Sequence, residues 1–189
     1  MAPIVSSEQI SEFREQGVTV LRGVFSDWVD VLRKGVDANM ADPDPNARIY
    51  TGKDGGGRFF VDYCNWARIP EYKEFIFNSN AAAIGAELMD SKKVQLFHEH
   101  VLVKEAATGV PTPWHQDAPY YCVDSAKTVS LWIPLDYVPR ETTPEFISGS
   151  HKWDKFYRPQ RFDGSALNEH DGLEDIPDIN RHRGDYDIL

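Results

Sequence analysis

The residues from Thr128 to Asp136 alternate in polarity, and this alternation restricts the fold more than any other feature of the chain. Every odd position from 129 to 135 is apolar, whereas Thr128, Ser130 and Trp132 hold even positions. Successive side chains of a β-strand point to opposite faces of its sheet. The segment is therefore predicted to be a strand with one face in a hydrophobic core and the other on the wall of a pocket.

Helical patterns dominate the part of the chain before Val94. Three segments have apolar residues at helical spacing, and the predicted helices are Ser6–Gly17, Ser26–Met40 and Glu71–Asp90. Ser6 or Ser7 is suited to cap the first helix, and Gly17 ends it. Pro43 follows the second helix closely and cannot continue it.

Strand patterns follow from Val94 onward. Besides 128–135, the segments 94–104 and 114–117 are rich in β-branched or aromatic residues and are bounded by Gly, Pro or Asp. Helices followed by strands indicate an α+β fold with an antiparallel sheet. The length of 189 residues fits a single domain. Its predicted parts are a helical part at 1–93 and a part made of strands and an acidic loop at 94–189.

The composition argues against several classes of protein. The formal net charge is −10 and no cluster of Lys or Arg offsets it, so nucleic acid is not an expected partner. Two cysteines, Cys64 and Cys122, do not make a disulfide framework and favour the reducing cytoplasm. The N-terminus lacks the features of a signal peptide, and no apolar run approaches the ~18 residues of a membrane span.

His115 and Asp117 are separated by one residue, within the motif Trp-His-Gln-Asp. On a strand, positions i and i+2 point to the same face, so an imidazole nitrogen and a carboxylate oxygen converge. These are two of the three ligands of a 2-His-1-carboxylate triad, which leaves open positions on Fe(II) for a co-substrate and O₂. His-x-Asp also occurs by chance, and the alternative is a surface histidine near a solvated aspartate.

Four segments together resemble the phytanoyl-CoA dioxygenase family, in the same order and at the same spacing. They are Val101–Glu105, Thr112–Tyr120, Val129–Asp136 and Ile147–His151. The resemblance covers residues 59–153 well and the N-terminal helices loosely. It implies a mainly β core, a double-stranded β-helix (jelly roll) of cupin type with the helices packed outside. It also implies an Fe(II)- and 2-oxoglutarate-dependent dioxygenase that uses O₂ to hydroxylate a small organic molecule.

The resemblance implies roles for individual residues. His115 and Asp117 match the family's first two iron ligands and are the expected catalytic pair. Trp132 matches a tryptophan that lines the 2-oxoglutarate site. His100 falls where the family often has a side chain facing that co-substrate, and Lys104 is assigned to the same site. The alternative for Lys104 is a side chain that points to solvent from the end of a strand.

A departure from the family concerns the third iron ligand. The family has a further His ligand, and an Arg that pairs with 2-oxoglutarate, after a Gly-Asp turn; this chain ends soon after Gly184-Asp185. The expectation is therefore a fragment, incomplete at its C-terminus, or a decayed copy with little activity. The histidines considered as replacements are His98, His151, His170 and His182. Packing, turn or solvated positions are the simpler interpretation of each.

Two other functions are consistent with these residues. One is a catalytically inactive jelly-roll remnant that binds a metal or small molecule, or pairs with another chain. The other is a metal-dependent isomerase or epimerase of cupin type, against which the Trp132 strand and the Gly149-Ser150-His151 turn weigh.

Missing strands also predict an open sheet edge and exposed apolar surface, through which the chain can self-associate.

Overall fold

The computed structural model describes residues 3–52, 55–123, 125–165, 167 and 172–189. The helices and strands are α1 (Ser7–Gln16), α2 (Val29–Ala41), β1 (Arg48–Thr51), β2 (Arg58–Tyr63), α3 (Pro70–Asn78), α4 (Ala81–Leu88) and β3 (His100–Lys104). Short 3₁₀ turns lie at Ser26–Trp28, Ala118–Tyr120, Arg140–Thr142, Ser150–Lys152 and Arg183–Asp185. The fold thus combines helices with a small antiparallel sheet.

The chain divides into two compact units. The first comprises Met1–Val5, Leu21–Val110 and Val129–Pro139, and the second comprises Ser6–Val20, Pro111–Thr128 and Arg140–Leu189. The sheet and helices α2, α3 and α4 belong to the first unit. Helix α1 and the candidate ligands His115 and Asp117 belong to the second.

In the first unit, the strands form an antiparallel sheet in the order β1-β2-β3, and one face of it packs against α2 and α3. Phe60 of β2 pairs with Val103 of β3, and both side chains contribute to the hydrophobic core. His100, Leu102 and Lys104 consequently share the opposite face of β3. The buried residues of the core are Leu32, Phe60, Ile69, Tyr72, Phe75 and Val101.

The second unit is held by turns and short pairings. Residues 146–148 run antiparallel to residues 187–189, with an isolated bridge between Ile147 and Ile188. The Leu189 N–H donates to the Phe146 carbonyl at 2.8 Å. The Gly149 N–H donates to the carbonyl of Gln16, the last residue of α1, at 2.8 Å. These bonds tie α1 and the C-terminal residues to the turn at 146–152.

Both predicted ends of the first helix and the predicted C-terminal end of the second are confirmed, whereas the predicted start of the second helix, Ser26–Trp28, is a 3₁₀ turn. Ser6 caps α1: its hydroxyl accepts a hydrogen bond from the Gln9 N–H at 3.2 Å, and the Gln9 side chain accepts one from the Ser6 N–H at 3.0 Å. Gly17 ends α1 with φ 87°, a left-handed conformation that glycine adopts without strain. Helix α2 ends at Ala41, two residues before Pro43.

The prediction of one helix over residues 71–90 is wrong, because α3 and α4 are separate helices. The Ser79 backbone between them is extended, with ψ 175°, and the Ser79 hydroxyl accepts a hydrogen bond from the Ala81 N–H at 3.2 Å. Asn78, Ser79 and Asn80 are consecutive residues whose side chains compete with a helix for backbone groups. That competition is the local reason for the break.

The strand predictions are only partly correct. Strand β3 covers residues 100–104 of the predicted 94–104, whereas 114–117 and 128–135 have no strand partner within the described ranges. Strands β1 and β2 lie before Val94, in the part that was predicted to be mainly helical. The described residues therefore form a three-stranded sheet and more helix than strand, rather than a mainly β core. Periodicity indicates which side chains are buried, but it does not supply a partner for the backbone.

The alternation itself is confirmed in the burial of residues 129–135. The odd positions are partly buried and the even positions are exposed. Ile133 and Leu135 pack against the core of the first unit, whereas Trp132 is 50% exposed. The predicted apolar and open faces therefore exist without a hydrogen-bonded strand.

The structure also bears on membrane and redox chemistry. None of the helices in the described ranges combines the length and the apolar character needed to cross a bilayer. Cys64 and Cys122 are both free and exposed.

Candidate iron site

His115 and Asp117 face each other, although no strand holds them. His115 Nε2 lies 3.3 Å from Asp117 Oδ1, and the two side chains are 37% and 49% exposed. The intervening Gln116 side chain makes its contacts with the backbone of residues 155–157. The convergence predicted from the i, i+2 spacing is therefore present without the predicted strand, and the backbone of Asp117 itself is helical, with φ −69° and ψ −41°.

The proton positions on His115 follow from its neighbours. Its Nδ1 lies 2.8 Å from the carbonyl oxygen of Pro113, which can only accept, so Nδ1 carries a proton. The other nitrogen, Nε2, is then left facing the Asp117 carboxylate. Partial burial lowers the pKa of His115, but the hydrogen bond to Asp117, the bond to Pro113 and the charge of Asp117 outweigh it, and the pKa is raised.

The separation of the two donor atoms suits a shared metal ion. Ligand bonds to nitrogen and oxygen are about 2.1 Å long, so two ligands at right angles around one ion lie about 3 Å apart. The observed 3.3 Å is close to this value. An outer carbonyl that accepts the second N–H of a ligating imidazole, as Pro113 does here, is also usual at metal sites. His115 and Asp117 therefore fit two of the positions of an Fe(II) site.

A third ligand is not present in the part of the chain that the structure describes, where no three His, Cys, Asp or Glu side chains are grouped to hold a metal ion. His151 Nε2 lies 3.1 Å from a backbone carbonyl of α1, and His182 Nδ1 lies 3.7 Å from Asp185 Oδ2. His98 lies in the first unit and packs edge-on against the preceding phenylalanine ring. His170 lies outside the described residues.

The three residues predicted to contact 2-oxoglutarate all lie in the first unit. His100 and Lys104 are exposed on the same face of β3, and Trp132 is half-exposed. Lys104 Nζ lies 4.8 Å from the centroid of the Phe59 ring, and burial lowers the pKa of Lys104. Their role toward 2-oxoglutarate stays a prediction.

Sequence reasoning missed the polar contacts that surround the pair. Gln116 and Tyr120 bond to the backbone of residues 155–160, and the Trp114 indole N–H donates to Asn180 Oδ1 at 3.0 Å. The sequence offered one clue, the place of Gln116 between the two candidate ligands. A side chain at that place must point away from both of them.

An open depression of about 370 Å³ begins immediately after Asp117. Its walls combine apolar and polar surface in about equal share, and the lining residues include Pro119, Tyr121, Cys122, Val123, Ser125 and Phe156. Phe156 is 54% exposed and Val123 is 45% exposed. The depression thus offers exposed apolar surface beside the candidate pair, at a volume within the range of small-molecule sites.

The family of the chain follows from comparison with known proteins. Residues 13–183 match the family model described as phytanoyl-CoA dioxygenase (PhyH). No curated protein and no solved structure is significantly similar to the chain. The match includes the four segments quoted above together with His115 and Asp117, and it takes in all but the two ends of the chain. The protein therefore belongs to the phytanoyl-CoA dioxygenase family, whose members are generally oxygenases that depend on Fe(II) and 2-oxoglutarate.

Proposed function

We propose that this protein is an Fe(II)- and 2-oxoglutarate-dependent dioxygenase that hydroxylates a small organic molecule with O₂. The observation that carries the proposal is the 3.3 Å approach of His115 Nε2 to Asp117 Oδ1 in a chain of this family. A jelly-roll core that includes β1, β2 and β3 belongs to the same proposal.

The residues at the pair have separate tasks. The Pro113 carbonyl holds the His115 ring and the proton on Nδ1, and a metal ion would take the place of any proton on Nε2. Asp117 supplies the negative charge that retains a divalent cation. When bound, iron and 2-oxoglutarate supply the oxidising power for attack on an unactivated C–H bond. A metal ion that is held by a small number of protein ligands keeps some of its coordination positions open. Redox chemistry at the metal requires such open positions.

Trp132, His100 and Lys104 are the proposed contacts of 2-oxoglutarate. The Lys104 ammonium offers a charge for a carboxylate, and His100 lies on the same face of β3. Lys104→Met keeps the side-chain length and removes the charge. Because a charge-assisted hydrogen bond contributes about 1.5–3 kcal/mol, we expect at least a 10-fold rise in the 2-oxoglutarate concentration at half-saturation. Lys73→Met, at an exposed lysine of α3, is the matched control.

The depression beside Asp117 is the proposed position of the substrate. Its exposed Phe156 and Val123 suit an apolar small molecule, because removing exposed apolar surface from water is favourable in free energy. Cys122 and Ser125 supply a few polar groups that can orient it.

A second candidate function is a non-catalytic module that binds a metal or a small molecule. The observation that favours it is the presence of two, rather than three, grouped metal donors within the described residues. This alternative differs from the dioxygenase in one measurable respect. It predicts no turnover of 2-oxoglutarate even when iron is bound.

An anaerobic titration of the purified chain with Fe(II) and 2-oxoglutarate tests the proposal. Chelation of 2-oxoglutarate to bound iron gives a weak visible charge-transfer band, which we expect in the native chain and not in His115→Ala or Asp117→Ala. His182→Ala is the matched control, because His182 also lies near an aspartate, at 3.7 Å from Asp185. Its band should be unchanged.

The outcomes separate the two candidate functions. A band followed by succinate formation on admission of O₂ supports the dioxygenase. A band without any succinate supports the binding module. If the native chain gives no band at millimolar Fe(II) and 2-oxoglutarate, the proposed function is wrong for this chain.

A further inference from the structure

The segment 113–117 has no strand neighbour in the described ranges, and side chains attach it to another part of the second unit. Gln116 Nε2 donates to the Lys155 carbonyl at 3.0 Å, and Gln116 Oε1 accepts from the Tyr157 N–H at 2.9 Å. These two bonds lie on either side of Phe156. A residue in a neighbouring parallel strand makes the same pair of bonds through its own N–H and C=O. The Gln116 amide thus takes the place of a strand backbone.

Tyr120 makes a second attachment to the same segment. Its hydroxyl donates to the Gln160 carbonyl at 2.6 Å and accepts from the Gln160 N–H at 2.8 Å. Its ring packs edge-on against the His115 imidazole, with 5.9 Å between centroids and an interplanar angle of 87°. Tyr120 therefore contacts a candidate ligand directly while its far end is anchored at both backbone groups of one residue.

The supporting segment 155–160 is itself fastened to a third one. Lys155 Nζ lies 2.6 Å from Glu174 Oε2, and the Arg158 N–H donates to the Glu174 carbonyl at 2.8 Å. The Arg158 guanidinium also lies 3.1 Å from Asp175 Oδ1. Gln116 and Tyr120 are thus attached to a segment with supports of its own.

We propose that Gln116 and Tyr120 are positioning residues that hold His115 and Asp117 at the spacing of a metal site. The inference rests on the proposed function, because the role of Gln116 and Tyr120 presupposes that His115 and Asp117 bind a metal ion. The Pro113 carbonyl holds the His115 ring at Nδ1, and the Tyr120 ring adds a second contact to the same imidazole. Partners of the ligands that lie outside the coordination shell commonly change metal affinity by about 10- to 100-fold.

The test uses two variants that preserve side-chain volume. Gln116→Met keeps the length and loses both bonds, and Tyr120→Phe keeps the ring against His115 but loses the anchor at Gln160. Mn(II), a redox-stable divalent ion, is titrated into each purified chain and free Mn(II) is read by electron paramagnetic resonance. We expect about 10-fold weaker binding in each variant. Tyr186→Phe, another tyrosine of the second unit, should bind like the native chain.

Two readouts on the metal-free chain keep this test independent of the proposed function. Amide exchange of Tyr157 should accelerate in Gln116→Met, and that of Gln160 in Tyr120→Phe, because each N–H loses its acceptor. The ¹H–¹⁵N signals of the His115 ring should be sharp in the native chain and broadened or shifted in both variants. Circular dichroism checks that both variants keep the fold.

Each outcome decides a separate question. If the native chain binds no Mn(II), the proposed function fails, and the His115 ring signals alone decide the positioning role. If the variants bind Mn(II) within 2-fold of the native chain, or leave the His115 signals unchanged, Gln116 and Tyr120 do not position the pair. Weaker Mn(II) binding with altered ring signals and an intact fold supports the proposal.

Discussion

Asp62 of β2 is a carboxylate in the interior, only 1% exposed. Its Oδ2 accepts hydrogen bonds from the Asn39 amide at 2.7 Å and from the Asp44 N–H at 3.0 Å, and its Oδ1 accepts one from the Tyr63 N–H at 2.9 Å. Burial raises the pKa of Asp62, but these bonds and one from Asn65 outweigh it, and the pKa is lowered. The folded state therefore favours the ionised carboxyl.

Replacement of this carboxylate is expected to destabilise the protein. An amide has one acceptor oxygen, so Asp62→Asn leaves a donor facing a donor in the interior, at a cost of about 2–3 kcal/mol. Urea unfolding at neutral pH measures the loss. Asp37→Asn, at an exposed aspartate of α2, should change the free energy of unfolding by less than about 0.5 kcal/mol.

The lowered pKa of Asp62 also determines how the free energy of unfolding changes with pH. A group with a lowered folded pKa contributes its stability above the unfolded pKa and loses it as the pH falls through the folded one. The Asp62 contribution is therefore complete at neutral pH and declines once the pH falls below the ordinary value of 3.8. The difference in unfolding free energy between the native chain and Asp62→Asn should shrink over that acid range. A constant difference would contradict the role assigned to the carboxylate.

At the scale of elements, local signals were predictable and pairings were not. The Ser6 cap, the Gly17 stop and the buried face of 129–135 depend on residues close in sequence, and all three appear in the structure. The convergence of His115 and Asp117 is equally local, since one residue separates the two.

The remaining features depend on partners far along the chain. Gln116 and Tyr120 bond to backbone groups 39 and 40 residues away. Every residue has a carbonyl, so a sequence does not indicate which one a side chain reaches. The β2–β3 pairing is equally distant, since Phe59 pairs with Lys104 and Tyr63 with His100. The β1–β2 pairing is local, since Thr51 pairs with Arg58, and it was missed although the two strands are close in sequence. The strand predicted at 128–135 has no partner within the described residues.

Two buried helical glycines provide a matched test of packing. A Cβ at Gly35 in α2 would lie 2.6 Å and 2.8 Å from ring carbons of Tyr72 in α3, so the two helices approach closely there. At Gly85 in α4, the nearest side-chain atom, of Val129, lies 3.6 Å away, an ordinary contact.

The two alanine variants should therefore differ in sign. Gly35→Ala gains helix propensity but forces Tyr72 to shift, and we expect a net loss of about 1–3 kcal/mol. Gly85→Ala gains the propensity without a clash and should be stabilised by about 0.5–1 kcal/mol. Thermal unfolding followed by circular dichroism compares them. Equal effects at the two positions would contradict the close approach of α2 and α3.

For the whole molecule, charge and exposed apolar surface act against each other. The net charge of −10 keeps copies apart at low ionic strength. Leu102 of β3 is 43% exposed and Ile49 of β1 is 56% exposed, on the two outer strands of the sheet. Outer strands with apolar side chains are usual sites of pairing between copies.

We expect self-association that becomes stronger with salt, because salt screens the repulsion but leaves apolar contacts in place. Sedimentation velocity at rising concentration and ionic strength measures it. Leu102→Lys and Ile49→Lys should each weaken it, whereas Phe77→Lys, at a 65% exposed residue of α3, should not. A chain that stays monomeric in high salt, or a Phe77→Lys variant as impaired as the strand variants, would rule out association through the sheet.

Between Trp114 and Asp117, the side chains at even and odd positions have different partners. Trp114 bonds to Asn180 and Gln116 bonds to the Lys155 carbonyl, whereas His115 and Asp117 contact each other. A substitution alters one member of one set, but inserting or deleting a single residue exchanges the two sets. Trp114 and Gln116 would then stand where the candidate ligands stand now, and the candidate ligands would face backbone. Over these few positions, a change of length is therefore expected to be more disruptive than a single substitution.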